Sequence, residues 1–273
     1  LAVYRGTPNS LTLVGCNDNY NIWTQNSGLT FTAQPNQTYY VMVGNKGTVP
    51  LTGSTTLYLD VNSKYLVDNA NELIAAIEYA NQSVNFSMIL LRPGNYNFST
   101  PYAGGINALP TIVNSIAIYG NNQTIRRTGG AEYRLFEISQ TGYLNISDLT
   151  IENGYLSGND GGAILNRGTL QVYNSILRNN TAYWGGAITN WGNVNIWESS
   201  LIDNTAWNGG GALDHPGYHM TVNDSYLGGN TASWGGAIIS WGDLTVVGSQ
   251  LADNTVYYGG GAIRLYGKLW MFS

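Results

Sequence analysis

Two acidic residues recur at a spacing that would bring their carboxylates close together in a stacked fold. Glu198 and Asp224 occupy one position of an internal repeat, which Asp148, Asn174 and Gly248 occupy in other copies. On neighbouring coils they would lie about 5 Å apart, a separation found in retaining glycosidases and one that also suits calcium. Because Asp, Asn and Gly alternate here, we favour the other interpretation, a turn that tolerates left-handed backbone geometry.

A second pair, Asp203 and Asp253, lies two repeats apart. The resulting separation of roughly 9.6 Å falls near the upper limit for the two carboxylates of an inverting glycosidase. Asn179 and Gly229 occupy the same position in other repeats, so a turn explains this column too and is again the interpretation that we favour.

The segment LDHPGYHM is irregular among otherwise regular repeats and contains both histidines, His215 and His219, together with Asp214. Function in a regular array is often found where the pattern breaks, so this segment is a candidate acid–base or recognition loop. His-x-x-x-His on a Pro-Gly loop does not fix a metal geometry as the same spacing on a helix does, and no third ligand is evident. No metal site is therefore predicted here.

Aromatic residues recur in two registers, one facing outward and one at the corner before Gly-Gly-Ala, and they give the best indication of a binding surface. Trp191, Trp241 and Tyr266 share the outward register, with Arg167 at the same position in the preceding repeat. Rings stacked along one edge can hold sugar rings or dock another protein. The alternative, which we favour, is that they shield turn backbones and stack on one another. The candidate ligand-binding residues are Trp184, Trp191, Trp234, Trp241, Tyr258 and Tyr266.

The element that positions these residues is the repeat itself. Gly-Gly-Ala followed by Ile or Leu begins at positions 161, 185, 210, 235 and 260, so the period is 24 or 25 residues. Aliphatic residues within a repeat stand two apart, as Leu170 and Val172 do around Gln171, which is typical of a β-strand. A unit this short cannot close its own core, so successive units must stack and share one. The sequence therefore predicts an all-β fold, a right-handed parallel β-helix with three short strands per coil.

Two kinds of corner are expected in each coil. The glycine pair reaches backbone angles that are closed to other residues, and the small alanine fits inside the turn. The second corner contains an asparagine that is followed each time by threonine, at Asn180, Asn204, Asn230 and Asn254. Stacked asparagine side chains are predicted to hydrogen-bond along the axis and to satisfy backbone groups at the turn.

The chain divides into two predicted parts. Residues 62–273 form the β-helix, and a helix over 69–80, with Asn69 and Glu72 as a capping box, is expected to plug the open end of the solenoid. Residues 1–61 show alternating strands and turns without the repeat, which predicts part of a small antiparallel β-sandwich. We expect both ends to continue in a longer protein, because the last coil stops midway and the first strands of the sandwich are missing.

From about Asn69 onward the sequence resembles a group of bacterial surface β-helix proteins with Gly-Gly-Ala-Ile repeats. The likeness rests on LIAAIEYAN, ILLRPGNY and GGAILNRGTLQVYNSILRNNTA with the repeats after it. The repeats are also similar to those of chlamydial polymorphic outer-membrane proteins, although the FxxN tetrapeptide of that family is ILRN, LIDN, YLGG or LADN here. Residues 1–61 resemble the latter part of the bacterial pre-peptidase C-terminal domain, through CNDN, SGLTFTA and TYYVMVG. These resemblances imply a secreted or cell-surface module, usually non-catalytic and often adhesive or structural.

Composition excludes several classes of partner. The 11 basic residues are scattered without a run in a chain of net charge −5, whereas a nucleic-acid surface needs a clustered basic patch. No apolar stretch is long enough to span a membrane, and one cysteine allows no internal disulfide. Asp18, between two asparagines, is a weak calcium candidate, for which a solvated turn is the favoured interpretation. No other cofactor is expected.

Eight Asn-x-Ser/Thr triplets are candidate glycosylation sites, and low charge with much Asn, Thr and aromatic content indicates an extracellular protein. The acceptor residues are Asn36, Asn81, Asn85, Asn97, Asn122, Asn145, Asn179 and Asn223.

Together these observations predict a non-catalytic structural or adhesive β-helix, secreted or at the cell surface, that serves as an adhesin, a spacer or a filament component. Its expected partners are cell-surface glycans or proteins, or further copies of itself. The alternative is a carbohydrate-active β-helix enzyme, a polysaccharide lyase or glycosidase, working at Glu198, Asp224, His215 and His219.

Overall fold

The computed structural model describes residues 2–7, 9–16, 38–42, 63–217 and 219–272. The chain forms two compact units, residues 1–60 and residues 61–273. The first unit contains an antiparallel sheet in which Ala2–Thr7 lies between the other two strands, Ser10–Cys16 and Tyr39–Met42. Antiparallel pairing agrees with the predicted sandwich portion, and the rest of that portion lies outside the described residues.

The second unit is a β-solenoid, or β-helix, of about eight turns of parallel strands, as the repeat predicts. Its strands form three sheets. The first sheet opens with four long strands, Ser63–Asn69, Ser87–Phe98, Ser115–Arg127 and Tyr143–Glu152. It then continues as two columns of shorter strands. One column consists of Thr169–Tyr173, Asn193–Trp197, His219–Asn223, Asp243–Val247 and Leu269–Phe272. The other consists of Ile176–Arg178, Ser200–Ile202, Tyr226–Gly228 and Gln250–Ala252.

The second and third sheets complete each coil. The second sheet consists of Thr181–Trp184, Thr205–Gly209, Thr231–Trp234 and Thr255–Gly259. The third consists of Phe136–Ile138, Ile164–Asn166, Ile188–Asn190, Leu213–His215, Ile238–Ser240 and Ile263–Leu265. A complete coil thus has four short strands rather than the predicted three, because the first sheet is bent into two columns.

The bend in the first sheet is a single residue in the left-handed region of backbone space. Its φ angle is 53° at Asp148, 43° at Asn174, 49° at Glu198, 46° at Asp224 and 54° at Gly248. Asn, Asp and Gly tolerate this region better than other residues do, which explains why they alternate in the column. Left-handed geometry at this position was the favoured prediction, and the structure confirms it.

The core is made of aliphatic columns in line along the axis. Ile188 pairs with Ile164 of the preceding coil and with Leu213 of the next, and Leu213 pairs with Ile238. All four side chains are buried in one continuous apolar cluster, as the register predicts. Parallel strands lie about 4.8 Å apart, so each methyl group meets its equivalents directly above and below.

Polar ladders hold the corners. The side-chain amide Nδ2 of Asn204 donates to Oδ1 of Asn230 at 3.1 Å, and the backbone N–H of Asn204 donates to the same oxygen at 3.0 Å. The bonds recur from Asn180 to Asn204 and from Asn230 to Asn254. This confirms the predicted asparagine ladder. A serine ladder that the sequence reasoning missed runs beside it, in which a backbone N–H donates to the Oγ of the next coil, at Ser175, Ser199, Ser225 and Ser249.

An α-helix, Ala70–Ala80, lies between the first two long strands, and a short 3-10 turn spans Tyr102–Gly104. Oδ1 of Asn69 accepts from the backbone N–H of Glu72 at 3.0 Å, and the Glu72 carboxylate accepts in return from the backbone N–H of Asp68 at 2.8 Å. The helix buries its apolar stripe in the solenoid core, through Leu73, Ala76, Ile77 and Ala80.

Candidate functional site

The acidic residues of the sequence-derived enzyme hypothesis lie at the outer bends. Glu198 and Asp224 are both exposed in the left-handed column described above. Side chains here extend along the axis, since Asn174 Nδ2 donates to Asp148 Oδ1 at 2.6 Å. A Cβ added at Gly248 would lie 2.2 Å from Asp224 Oδ1, so the Asp224 carboxylate extends over Gly248 of the next coil.

The second acidic column has the same geometry. Asp203 and Asp253 each have a φ angle of 55°, as does Asn179, and Gly229 has 66°. The Asp203 carboxylate lies over Gly229 of the next coil, where an added Cβ would be 2.2 Å from Oδ1. Both columns are therefore left-handed bends, occupied by Asp, Asn or Gly except at Glu198.

The two histidines occupy different environments. His215 is fully buried in the third sheet, where its Nδ1 lies 3.0 Å from the Asn190 Nδ2. Nε2 of His215 has no hydrogen-bond partner among the described residues, and burial lowers the pKa of the ring to about 4. His219 is exposed and its Nε2 lies 3.1 Å from Thr221 Oγ1. Within the described chain no hydrogen bond joins the two rings, and His215 is a neutral core residue at pH 7.

Asp214 is the more unusual neighbour. It is 5% exposed, and its Oδ1 lacks a hydrogen-bond partner among the described residues. The pKa of its carboxyl is raised to about 8, mainly by burial and also by the charge of Asp160, while a hydrogen bond from Thr189 opposes both effects. Since successive strand residues point to opposite faces, Asp214 lies on the outer side of the third sheet while His215 lies inside.

The outer side of the third sheet is bordered on one edge by exposed rings. Trp191, Trp241 and Tyr266 are 54%, 47% and 50% exposed. Trp241 and Tyr266 stack face to face, with ring centroids 4.1 Å apart and planes inclined by 4°. Pro216 takes the equivalent position between Trp191 and Trp241. Arg167, predicted in the same column, pairs with the Glu137 carboxylate.

On the other edge the rings pack against glycines. Trp184 pairs in the second sheet with Gly209, which pairs in turn with Trp234, so tryptophan and glycine alternate from coil to coil. A Cβ added at Gly209 would lie 2.6 Å from Trp184 Cζ3. Tyr258 is largely exposed, with its ring 5.4 Å from that of Trp234. Trp184 and Trp234 are thus half-buried, and on the opposite edge Trp191, Trp241 and Tyr266 are each about half exposed.

An arginine joins the two edges. The Arg264 guanidinium carbon lies 4.0 Å from the Trp234 ring centroid and 5.1 Å from that of Tyr266, and Nε donates to the Tyr266 hydroxyl at 2.6 Å. Within the described ranges no carboxylate lies in ion-pair distance of Arg264. We call the surface formed by Trp191, Trp241, Arg264 and Tyr266 the aromatic face.

The sequence did not indicate that residues on the outer side of the third sheet would be buried. Leu165, Thr189, Asp214 and Ile239 lie on the outer side of the third sheet, yet all are buried. The flanking side chains shield them, as the Ile239 methyl that approaches Gly209 beside Trp184 illustrates. An available signal was the apolar pairs Ile164–Leu165 and Ile238–Ile239, which interrupt strict alternation.

The candidate glycosylation sites differ in accessibility. Asn81 is engaged by its fold, since Nδ2 donates to the Thr111 carbonyl at 2.8 Å and Oδ1 accepts from the Val113 N–H at 3.0 Å. Four candidates are exposed, namely Asn85, Asn97, Asn122 and Asn179. Two are half-buried, Asn145 and Asn223. Asn36 and the calcium candidate Asp18 lie outside the described residues.

No family model, curated protein or solved structure matches the chain. Within the described part of the chain, no group of three or more His, Cys, Asp or Glu side chains is arranged to hold a metal ion. The same residues include no helix that is long and apolar enough to cross a membrane.

Proposed function

We propose that this chain is a non-catalytic scaffold, secreted or displayed on a cell surface, that binds glycans through the aromatic face. We further propose that the solenoid is right-handed and that the helix Ala70–Ala80 caps its end. The observation that supports binding is the exposure of about half of Trp191, Trp241 and Tyr266 in one register of a stacked fold.

The geometry of the aromatic face suits a chain of sugar rings. Trp191 and Trp241 belong to coils two apart, which separates their backbones by roughly 9.6 Å along the axis. Pro216 lies between them without an aromatic ring, so it leaves a shallow gap bounded by two rings. The C–H face of a pyranose packs against an aromatic ring, and such packing costs little conformational entropy when the ring is already held. The stacked Trp241–Tyr266 pair is held in this way.

The enzyme alternative has weaker support. Glu198 and Asp224 stand at left-handed turn positions that Asn and Gly occupy in other coils, and His215 is buried with its ring neutral. Turn geometry accounts for the acids without any catalytic role. A screen of neutral and acidic polysaccharides with the wild type, Glu198→Gln and Asp224→Asn tests this directly. Turnover that either substitution abolishes would establish an enzyme.

Binding is tested with a tetramer of β-1,4-linked glucose by isothermal titration calorimetry. We expect the double variant Trp241→Ala/Tyr266→Ala to lose about tenfold or more in affinity. Tyr257→Ala is the matched control, because Tyr257 is strongly exposed at the corner outside the register, and its affinity should stay within about twofold of wild type. Equal losses in both variants, or none in the double variant, would refute binding at the aromatic face.

A further inference from the structure

A polar groove lies on the earlier coils, outside the aromatic face. Its cavity of about 430 Å³ is lined by residues that include Arg126, Arg127, Asn153, Tyr155 and Asn179. A second cavity of about 320 Å³ adjoins it and shares Arg126, with Asn97 and Asn122 in its wall. We call the two cavities together the arginine groove.

Arg126 is held by one side of its guanidinium. Nε lies 3.1 Å from Glu152 Oε1 as an ion pair, while the other carboxylate oxygen of Glu152 accepts from Arg178 Nε at 2.7 Å. The Glu152 side chain is 6% exposed and that of Arg126 is 40% exposed. Nε itself makes no hydrogen bond, and the two terminal amino groups of Arg126 donate to no described residue, so the ion-paired guanidinium presents its donor fork to the groove.

Arg127 lines the groove beside Arg126 and is held there by hydrogen bonds. Nε donates to the Asn153 carbonyl at 2.7 Å and Nη1 to the Ala131 carbonyl at 2.9 Å. Its guanidinium carbon lies 5.5 Å from the Tyr155 ring centroid. These partners are carbonyls and a ring, which leave the positive charge of Arg127 uncompensated by an ion pair among the described residues.

The groove is therefore locally positive in an acidic chain. Three guanidinium groups, of Arg126, Arg127 and Arg178, outnumber two nearby carboxylates, Glu152, which pairs with Arg126 and Arg178, and the exposed Glu132, which interacts with the charge of Arg127. The whole chain, in contrast, has a net charge of −5. The amide side chains of Asn97, Asn122 and Asn179 make no hydrogen bond to a described residue. They therefore leave donors and acceptors free at the wall of the groove.

We propose that the arginine groove is a second binding site, which takes an oligosaccharide bearing carboxylate groups. A planar guanidinium fork matches a carboxylate with two parallel hydrogen bonds, and Arg126 presents such a fork. The asparagine amides suit sugar hydroxyls, and the Tyr155 ring offers a surface for one pyranose. This site differs from the aromatic face in position and in ligand, and neither depends on the other.

The test compares two ligands that share the same β-1,4-linked glucose backbone and differ in charge. The probes are the β-1,4-linked glucose tetramer and the same tetramer oxidised to carboxylates at C6, titrated into the Trp241→Ala/Tyr266→Ala variant so that the aromatic face does not contribute. We expect the acidic tetramer to bind about tenfold or more tightly than the neutral one, and the difference to shrink as salt is raised. Equal affinity for the two tetramers would overturn the proposal.

Arg126→Gln should remove the preference for the acidic tetramer. Arg178→Gln is the matched control, because it removes the same charge and an ion pair to the same Glu152 from a residue that does not line the groove. This variant should retain the preference within about threefold.

Asn153→Gly is a second variant, since glycine accepts the φ angle of 64° at this position and only the amide is lost. We expect it to weaken acidic binding by about threefold. If Arg178→Gln abolishes the preference as Arg126→Gln does, or if both groove variants keep it, the groove is not the site.

Discussion

The indole ring of Trp184 lies directly over Gly209 of the next coil, so closely that a Cβ there would be 2.6 Å from Cζ3 and 3.1 Å from the Ile239 methyl. The alternation of tryptophan and glycine in the second sheet is thus a packing requirement. It places a large ring in every second coil and removes the side chain beneath it.

Gly209→Ala is therefore expected to destabilise the solenoid by about 1–3 kcal/mol, because the rigid indole has to move away from its position over the strand. Gly158→Ala is the control, since a Cβ at Gly158 would meet nothing within 4 Å. The midpoint of chemical denaturation, followed by circular dichroism, measures both. A Gly209→Ala midpoint equal to wild type would show that the ring does not depend on the glycine.

The asparagine ladder predicts that the loss of a single side-chain amide strongly lowers the free energy of unfolding. Asn204 is fully buried; its Nδ2 donates to the Leu177 carbonyl at 2.9 Å, and its Oδ1 accepts from the backbone N–H of Asn180 at 3.0 Å. Asn204→Ala leaves both main-chain groups without partners, so we expect a loss of about 3 kcal/mol in the free energy of unfolding. The exposed Asn193, whose side chain bonds to no described residue, is the comparison, and its alanine variant should stay within about 0.5 kcal/mol.

Stability should depend on pH through two consecutive residues. Burial raises the pKa of Asp214 from 3.8 to about 8, so the folded state keeps a proton that the unfolded state loses, and stability falls as pH rises between about 4 and 8. Burial lowers the pKa of His215 from 6.5 to about 4, so stability rises with pH between about 4 and 6.5. The two slopes oppose each other up to about pH 6.5, and a fall of about 2 kcal/mol remains between pH 6.5 and 8.

Asp214→Asn isolates this effect. The amide has no charge to bury, so the variant should lack the decline above pH 6.5 and keep only the His215 rise at lower pH. Thermal melts across pH 5–9, compared between variant and wild type, give the difference directly. Parallel profiles above pH 6.5 would mean that Asp214 ionises without resistance from its surroundings.

Glycan attachment should differ between Asn81 and Asn85, two acceptor sites four residues apart. Asn81 uses both ends of its amide in hydrogen bonds, whereas Asn85 is exposed and its side chain bonds to no described residue. In a host that glycosylates Asn-x-Ser/Thr, we expect peptide mapping to find a glycan at Asn85 and none at Asn81. Asn81→Gln should also lower the free energy of unfolding by about 1–2 kcal/mol, with Asn85→Gln as the neutral control. Occupancy at Asn81 in folded protein would contradict these bonds.

Much of the solenoid was predictable because a repeat aligns equivalent residues. The columns through Ile188 and Leu213, the asparagine ladder and the Asn69–Glu72 cap all follow from spacing and side-chain chemistry. Local patterns of this kind are visible in one sequence, since each repeat confirms the others.

The features that sequence reasoning missed depend on side chains from different coils meeting at the surface. Nothing in the spacing indicates that Arg264 crosses to Trp234, or that Glu152 serves both Arg126 and Arg178. The arginine groove lies on the earlier coils, where the repeat is irregular and the register is hard to infer. Likewise, the pattern around Asp214 does not show that its outward carboxyl would be buried. A turn was expected at Asn174. The sequence did not indicate that the strands before and after this turn would belong to the same sheet.

The asparagine ladder gives the solenoid an electrostatic polarity along its axis. From Asn180 to Asn230 each side-chain amide donates to the asparagine of the coil that follows it, so the side-chain dipoles align head to tail as peptide dipoles do in an α-helix. The two ends of the asparagine ladder are therefore not equivalent, and a coil stacked in the opposite sense would set donor against donor at this corner.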